Sequence, residues 1–160
     1  MTEQAGDAPQ IEPLGAHNQD RALDLLERFF REEGFTTPSS GIARNLGLMI
    51  ADASCWGALA RSGPEDLGVV TVTTMLHAEW GHLAEIGDLY VMPRHRGRGV
   101  ARLLVVRATE WCMQRQCSAV YVTVTPDGEE RQRLSGFYRH LRFEATGCTI
   151  MTRRLPDAGQ

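Results

Sequence analysis

"VMPRHRGRGVARLL", residues 91–104, begins with the pattern of a β-strand and ends with that of a helix. Four arginines, one histidine and two glycines stand here, and no acidic residue occurs between Asp88 and Glu110. The run that leads into it, from about His82 to Met92, has the apolar and β-branched character of a strand. After Gly99 the pattern changes, and Val100, Leu103, Leu104, Ala108, Trp111 and Cys112 fall on one helical face, with Arg102, Arg107 and Glu110 left to water. The stretch is therefore a strand, a glycine loop and a helix N-terminus. The first amides of a helix lack intrahelical partners and the helix dipole adds partial positive charge at that end, so anions bind there. Gly97 and Gly99 let an anion approach the backbone, while Arg94, Arg96, Arg98 and Arg102 raise the local potential. The residues alone leave three uses open: a nucleic-acid contact, a solvated arginine surface, or a cradle for a phosphorylated ligand.

The rest of the chain narrows them. Its 160 residues, 42% hydrophobic and 23% charged, have the size and composition of one globular domain. A net charge of −3 argues against a surface devoted to nucleic acid. Cys55, Cys112, Cys117 and Cys148 form no CxxC pair, which predicts reduced thiols in a cytoplasmic protein rather than zinc ligation or a disulfide framework. The N-terminus lacks the basic and apolar regions of a signal peptide, and no apolar run has membrane-spanning length, so no membrane partner is expected. Neither the phosphate loop ending in Gly-Lys-Ser/Thr nor the three-glycine dinucleotide fingerprint is present.

Outward from the loop, "IEPL" is a short first strand. "NQDRALDLLERFFREEG", with Ala22, Leu25, Leu26, Phe29 and Phe30 in register, is an amphipathic helix with Asn18 as cap and Gly34 as stop. A second helix is expected from Pro38 to about Asp52. "SCWGALAR" and "LGVVTVTTML" form an antiparallel pair across the turn residues "SGPED". "AVYVTVT" is a further strand ended by Pro126-Asp127-Gly128, followed by a helix from about Glu129 to Leu141 and a last strand around Phe143 to Arg153. The expected fold class is mixed α/β, α+β-like: a central mixed, mostly antiparallel sheet flanked by helices. The expected organisation is a tail over residues 1–10, one domain over 11–155 and a short tail over 156–160.

Arg94-x-x-Gly97-x-Gly99 resembles motif A of the GNAT superfamily of N-acetyltransferases, Gln/Arg-x-x-Gly-x-Gly/Ala. The flanking "DLYVMP" and "VARLL" resemble that family's strand and helix. "VYVTV" and "GFYRHLRFEATG" are similar to its later strand and its Phe-Tyr-x-x-x-Gly-Phe segment. The resemblance implies acetyl-CoA as co-substrate, its pyrophosphate on the amides of Gly97, Arg98, Gly99, Val100, Ala101 and Arg102. The pantetheine arm would run beside Leu89, Tyr90 and Val91 as an added strand, which suits an open strand edge. It also implies that Tyr138 serves the leaving thiolate; the residue pattern alone would place Tyr138 in a core stripe with Leu134, Phe137 and Leu141. Three positions depart from the family pattern: Gly87 where several relatives carry a glutamate base, Arg131 where an asparagine is common, and Arg142 where a glycine precedes the last phenylalanine.

Acetyl transfer to an amine needs a neutral nitrogen, a stabilised oxyanion and a proton for the departing thiolate. With an amine pKa near 10.4, about one molecule in a thousand or fewer is neutral at pH 7. Glu85 and Asp88 are the candidate bases, with a water chain as the alternative. Unbroken alternation would put Glu85 on one face with Gly87, Leu89 and Val91, and Asp88 on the other with Ile86 and Tyr90. His77, His82, Glu79 and Glu85 lack metal-site spacing, so no metal is expected. Trp80, Phe35, Glu32, Glu33, Glu79 and Glu85 are candidates for the side that meets a cationic acceptor. The expected activity is acetyl-CoA-dependent N-acetylation of a small-molecule amine. A non-catalytic acyl-CoA-binding module and an RNA-binding arginine loop are the alternatives, RNA and DNA being the less expected partners, and a homodimer is left open.

Overall fold

The computed structural model describes residues 8–156. They form two compact units, one extending to Thr123 and the other starting at Val124. The first carries a five-stranded sheet in the order β1 (Gln10–Pro13), β2 (Cys55–Ser62), β3 (Glu65–His77), β4 (Gly81–Val91) and β5 (Ala119–Val122). Neighbours from β1 to β4 are antiparallel, and β5 joins β4 in parallel. The helices are α1 (Gln19–Glu32), α2 (Ser39–Ala51) and α3 (Val100–Gln114), with a single 3₁₀ turn at Pro93–His95. The mixed, mostly antiparallel sheet expected from the sequence is the observed one. The tails expected at 1–10 and 156–160 lie mainly outside the described residues, and Gln10 already belongs to β1.

Sequence explains most of these elements directly. Two hairpin connections are short, so β2–β3 and β3–β4 must be antiparallel, whereas β5 can run parallel to β4 because α3 carries the chain back across the sheet. Val69 on one face of β3 packs in a cluster with Ala22, Leu25 and Leu26 of α1 and with Leu46 of α2. α3 lies against β2, β3 and β4 and buries Val100, Leu104, Val105, Ala108 and Cys112. Trp56 of β2 and Trp111 of α3 stack with ring centroids 5.9 Å apart. A fully buried leucine such as Leu25, Leu59 or Leu104 contributes on the order of 2 to 3 kcal/mol through area removed from water. The sheet is thus a wall with a helical layer on each side.

Asn18 departs from the expected cap. It is buried, and its side chain accepts the Gly15 amide at 2.9 Å and donates to Glu12 Oε1 at 2.9 Å and to the Pro13 carbonyl at 3.0 Å. It therefore fastens the β1–α1 turn, and α1 begins without a side-chain cap. Glu12 gathers this corner, also accepting from Arg21 at 3.2 Å and Arg61 at 3.1 Å. The Asn18 hydrogen bond, with the two guanidiniums behind it, holds the Glu12 carboxyl down at about 2.

The second unit corrects two expectations. In place of one helix from Glu129 to Leu141 there are two, α4 (Pro126–Gln132) and α5 (Leu134–His140), separated at Arg133, whose left-handed backbone (φ 51°, ψ 46°) no helix can continue through. The helix starts early because Pro126 sits at its first turn, where a missing N–H costs nothing, and Thr125 Oγ1 caps the Gly128 amide at 3.1 Å. The Glu129 carboxylate then accepts the Ser135 amide at 2.7 Å, which anchors the start of α5. The strand expected around Phe143 to Arg153 is not formed among the described residues. A strand is defined by its ladder, and this segment contains Gly147 at φ +73° and leaves Ile150 and Met151 exposed. β5 likewise ends at Val122, three residues before its expected limit.

The Glu12 corner predicts a pH signature. A carboxyl held near 2 in the fold and near 4.5 when unfolded adds stability above pH 4.5, and loses it as pH falls from about 4.5 to about 2. Glu12→Gln should cost about 1 to 2 kcal/mol at neutral pH, and the mutant should be less acid-sensitive in denaturant titrations across that window. Equal acid sensitivity of the two proteins would contradict this assignment.

Candidate functional site

The loop after β4 turns on two left-handed residues. Gly97 (φ +73°) and Gly99 (φ +80°) take a conformation that costs an L-residue about 1 kcal/mol or more. No atom stands within 4 Å of where a Cβ would be added at either, so their strain-free backbone, not crowding, is what the sequence secures there. Gly99 is the N-cap of α3 and offers no side-chain hydrogen bond to it. The first bond of that helix, Leu103 N–H to the Gly99 carbonyl at 3.0 Å, leaves the amides of Val100, Ala101 and Arg102 without intrahelical acceptors. The loop itself is exposed from Arg96 to Gly99. These are the properties of an anion cradle.

Beside it, β4 has an open edge. Leu67 and Met92 are joined by a hydrogen bond from the Met92 amide at 2.9 Å, so along the Gly68–Val91 register the backbone groups of Tyr90 and Met92 face β3. Those of Leu89 and Val91 then face the opposite edge. β5 pairs there only as far as Ile86, with Val122. Past Ile86 no strand among the described residues pairs with that edge, which leaves the Leu89 backbone and the Val91 amide open to an extended, amide-bearing chain.

The four arginines do not act alike. Arg94 Nε donates to Glu65 Oε1 at 2.9 Å, and His95 Nε2 lies 3.1 Å from the same oxygen. Arg94 leads, and His95 supports, in holding the Glu65 carboxyl below its ordinary range. Arg96 Nη2 donates to Glu32 Oε2 at 2.7 Å, and its Nε donates to the Val91 carbonyl at 2.9 Å. Glu32, a candidate for the acceptor side, is tied to the loop by its pairing with Arg96. Arg98 and Arg102 are exposed and make no ion pair among the described residues. The sequence showed the arginines clustered, but nothing in it marked Glu65 and Glu32 as their partners.

A bulge overturns the expected faces of the two carboxylates. Asp88 pairs with Thr71 and Ile86 with Val72, so Gly87 is an extra residue without a partner on β3. Alternation shifts by one at that point. Glu85, opposite Thr73, and Asp88, opposite Thr71, consequently share one face, with Tyr90 beyond them. Thr71 Oγ1 donates to Asp88 Oδ2 at 2.6 Å and accepts the Asp88 amide at 3.1 Å. Burial pushes the Asp88 carboxyl up, the Thr71 hydroxyl opposes this, and the negative charge of Glu85 adds to it. Glu85 is half-buried and accepts the Tyr121 hydroxyl at 3.2 Å. Thr71 and Tyr121 went unnoticed in the sequence, since each sits in a β-branched run and reads there as a strand former. A small pocket between α2 and β2, lined by Leu46, Met49, Ile50, Cys55 and Gly57, reaches Thr71.

Tyr138 belongs to the second unit. It is buried, with edge-on rings of Phe137 and Phe143 at 5.0 and 5.3 Å. Burial pushes its phenol up to about 12. No group of three or more metal-ligating side chains is assembled among the described residues, and no helix among them is long and apolar enough to cross a membrane.

The chain resembles several known proteins over much of this architecture. A 75-residue stretch is 31% identical to Acetyltransferase ECA0875 of Pectobacterium atrosepticum, covering 47% of this chain and 51% of that one. Over 111 residues it is 27% identical to a streptothricin acetyltransferase of Escherichia coli, covering 66% and 60%. The chain thus spans between half and two thirds of the length of these curated relatives. Among solved structures, aminoglycoside N-acetyltransferase AAC(6')-Iy in complex with CoA superposes with a TM-score of 0.82 at 15% identity over 96% of this chain and 99% of that one. The integron cassette protein HFX_CASS3 from a salt-marsh metagenome gives 0.81 at 20% identity over 92% and 91%. At those identities the likeness is one of fold. The acetyltransferase (GNAT) family model matches residues 20–140, a span that takes in β4, the glycine loop and α3, and the chain belongs to that family.

Proposed function

We propose that this protein transfers the acetyl group of acetyl-CoA to the nitrogen of a small cationic amine. The observation that carries the reading is the pair of left-handed glycines opening the N-terminus of α3 beside the free edge of β4. A pyrophosphate fits the uncapped amides, and a pantetheine arm fits the Leu89 backbone and the Val91 amide. The aminoglycoside enzymes among the fold neighbours, one with CoA and another in complex with sisomicin, support a small cationic acceptor. An RNA-binding arginine surface is disfavoured because Arg94 and Arg96 are already engaged by carboxylates. The four cysteines are free, in keeping with a cytoplasmic setting.

In this reading the neutral amine attacks the thioester carbonyl, the nitrogen gives up a proton, and the C–S bond breaks to release a thiolate that gains one. Glu85 and Asp88, now on one face, form the proton-accepting pair. Asp88 is the member that its surroundings move toward a useful base, because a carboxyl raised by burial has a higher proton affinity at working pH. The thiolate role falls to Tyr138 on the family resemblance alone. A phenol near 12 facing a thiol near 8.5 makes complete proton transfer uphill by about 5 kcal/mol, so the hydroxyl serves by hydrogen bonding to developing charge. Arg98 and Arg102, without carboxylate partners among the described residues, supply the charge around the phosphates.

The test is free-thiol release from acetyl-CoA across a panel of cationic and neutral amines. Release stimulated by cationic amines is expected; no release with any amine would overturn the reading. Gly99→Glu puts a carboxylate and a strained backbone at the cradle, and should weaken CoA at least about tenfold in calorimetry. Tyr138→Phe keeps the ring packing, so kcat should fall about ten- to a hundredfold with Tm nearly unchanged. Thr71→Val removes a hydrogen bond that favours the charged carboxyl. The Asp88 pKa should therefore rise further, moving the acid limb of kcat/KM to higher pH; an unmoved limb would show that Asp88 does not titrate in the reaction.

A further inference from the structure

Arg96 is bound in a way that a phosphate-binding arginine need not be. Its guanidinium uses two different edges at once: Nε on the Val91 carbonyl at 2.9 Å and Nη2 on Glu32 Oε2 at 2.7 Å. The guanidinium carbon lies 5.6 Å from the centroid of the Tyr90 ring, and the Tyr90 hydroxyl donates to the other oxygen of the same carboxylate, Glu32 Oε1, at 2.6 Å. Glu32 is the last residue of α1, Tyr90 and Val91 end β4, and Arg96 directly precedes Gly97. One carboxylate therefore clamps a helix end, a strand end and the glycine loop together. Tyr90 is buried and packs against Phe29 of α1 with centroids 5.6 Å apart, so the clamp has a fixed base.

The Val91 carbonyl is one of the groups that face the open edge of β4. Arg96 occupies it from within the chain, which leaves Leu89 and the Val91 amide as the edge groups open to an added strand. Gly97 and Gly99, with no side chains to hold them, are free to wander unless the residue before them is fixed. A planar fork can make both bonds in one geometry, and a lysine ammonium, a point charge on a flexible stem, cannot.

We propose that Arg96 is a positioning residue, gripped by Glu32 and Tyr90, that fixes the glycine loop to the ends of β4 and α1 rather than neutralising bound phosphate. The consequence for CoA rests on the function proposed above; the bracing of the loop does not.

The experiment compares wild type with Arg96→Lys, Arg96→Ala, Glu32→Gln and Arg98→Ala in the full chain, after circular dichroism has shown each to be folded. Two quantities are read: amide hydrogen exchange over residues 92–100 without ligand, and CoA affinity at low and high salt. Arg96→Lys and Glu32→Gln should each speed exchange in the loop about five- to tenfold, roughly the loss of one partly buried ion pair with its hydrogen bonds. Both should weaken CoA by a similar factor without reducing the salt dependence, whereas Arg98→Ala should reduce it by removing an unpaired charge. Arg96→Lys matching wild type in exchange and affinity would overturn the proposal, since charge alone would then suffice. So would loop exchange unchanged in Glu32→Gln. Wild-type protein that fails to bind CoA would refute the functional reading, while the exchange rates would still decide the clamp.

Discussion

A β-strand has two hydrogen-bonding edges, and everything distinctive in this protein follows from how β4 divides its own. One edge is taken along the whole strand by β3. The other is taken by β5 only from Leu83 to Ile86, and is then released. Gly87 is the point of change. As an extra residue it shifts the alternation of side chains, which brings Asp88 onto the face of Glu85, and beyond it Leu89 and Val91 present backbone groups outward. A strand half paired and half open is unfavourable unless something uses the open part or covers it. Here Arg96 covers the Val91 carbonyl, and the remaining groups lead toward the uncapped end of α3.

Electrostatics then sorts the residues that a linear sequence lumps together. Four arginines within nine positions suggest a single positive patch. In the fold, two are paired with Glu65 and Glu32, and two have no ion-pair partner among the described residues. The carboxylates divide similarly: Glu12 is driven down by donors and cations, while Asp88 is driven up by burial with one hydroxyl in attendance. One group is thereby a fixed anion of the scaffold, and the other is a carboxyl with raised proton affinity. Tyr138, a phenol pushed by burial to about 12, donates a hydrogen bond far more readily than it surrenders its proton.

The sheet, the three helices of the first unit and the glycine loop were legible because each rests on a local pattern: helical spacing in α1 and α3, β-branched runs in β3, and Gly97 and Gly99 at a helix start. What was not legible depended on pairing across the chain. The bulge at Gly87 is invisible without its partner strand, and unbroken alternation puts Glu85 and Asp88 on opposite faces. Arg133 in a left-handed conformation gave no warning, because arginine is a good helix former and the break is made by the Thr125 and Glu129 caps around it. The β-branched residues near the C-terminus carried the composition of a strand without a ladder to join. The family resemblance, carried by Arg94-x-x-Gly97-x-Gly99, was legible where the partners of those arginines were not.

If the backbone at the start of α3 and the open edge of β4 together hold CoA, amide chemical-shift mapping will reveal it. On adding CoA to labelled protein, the largest shifts are expected at Gly97, Gly99, Val100, Ala101 and Arg102, with a second group at Leu89 and Val91. Saturable binding whose shifts fall on other residues and spare both groups would contradict it.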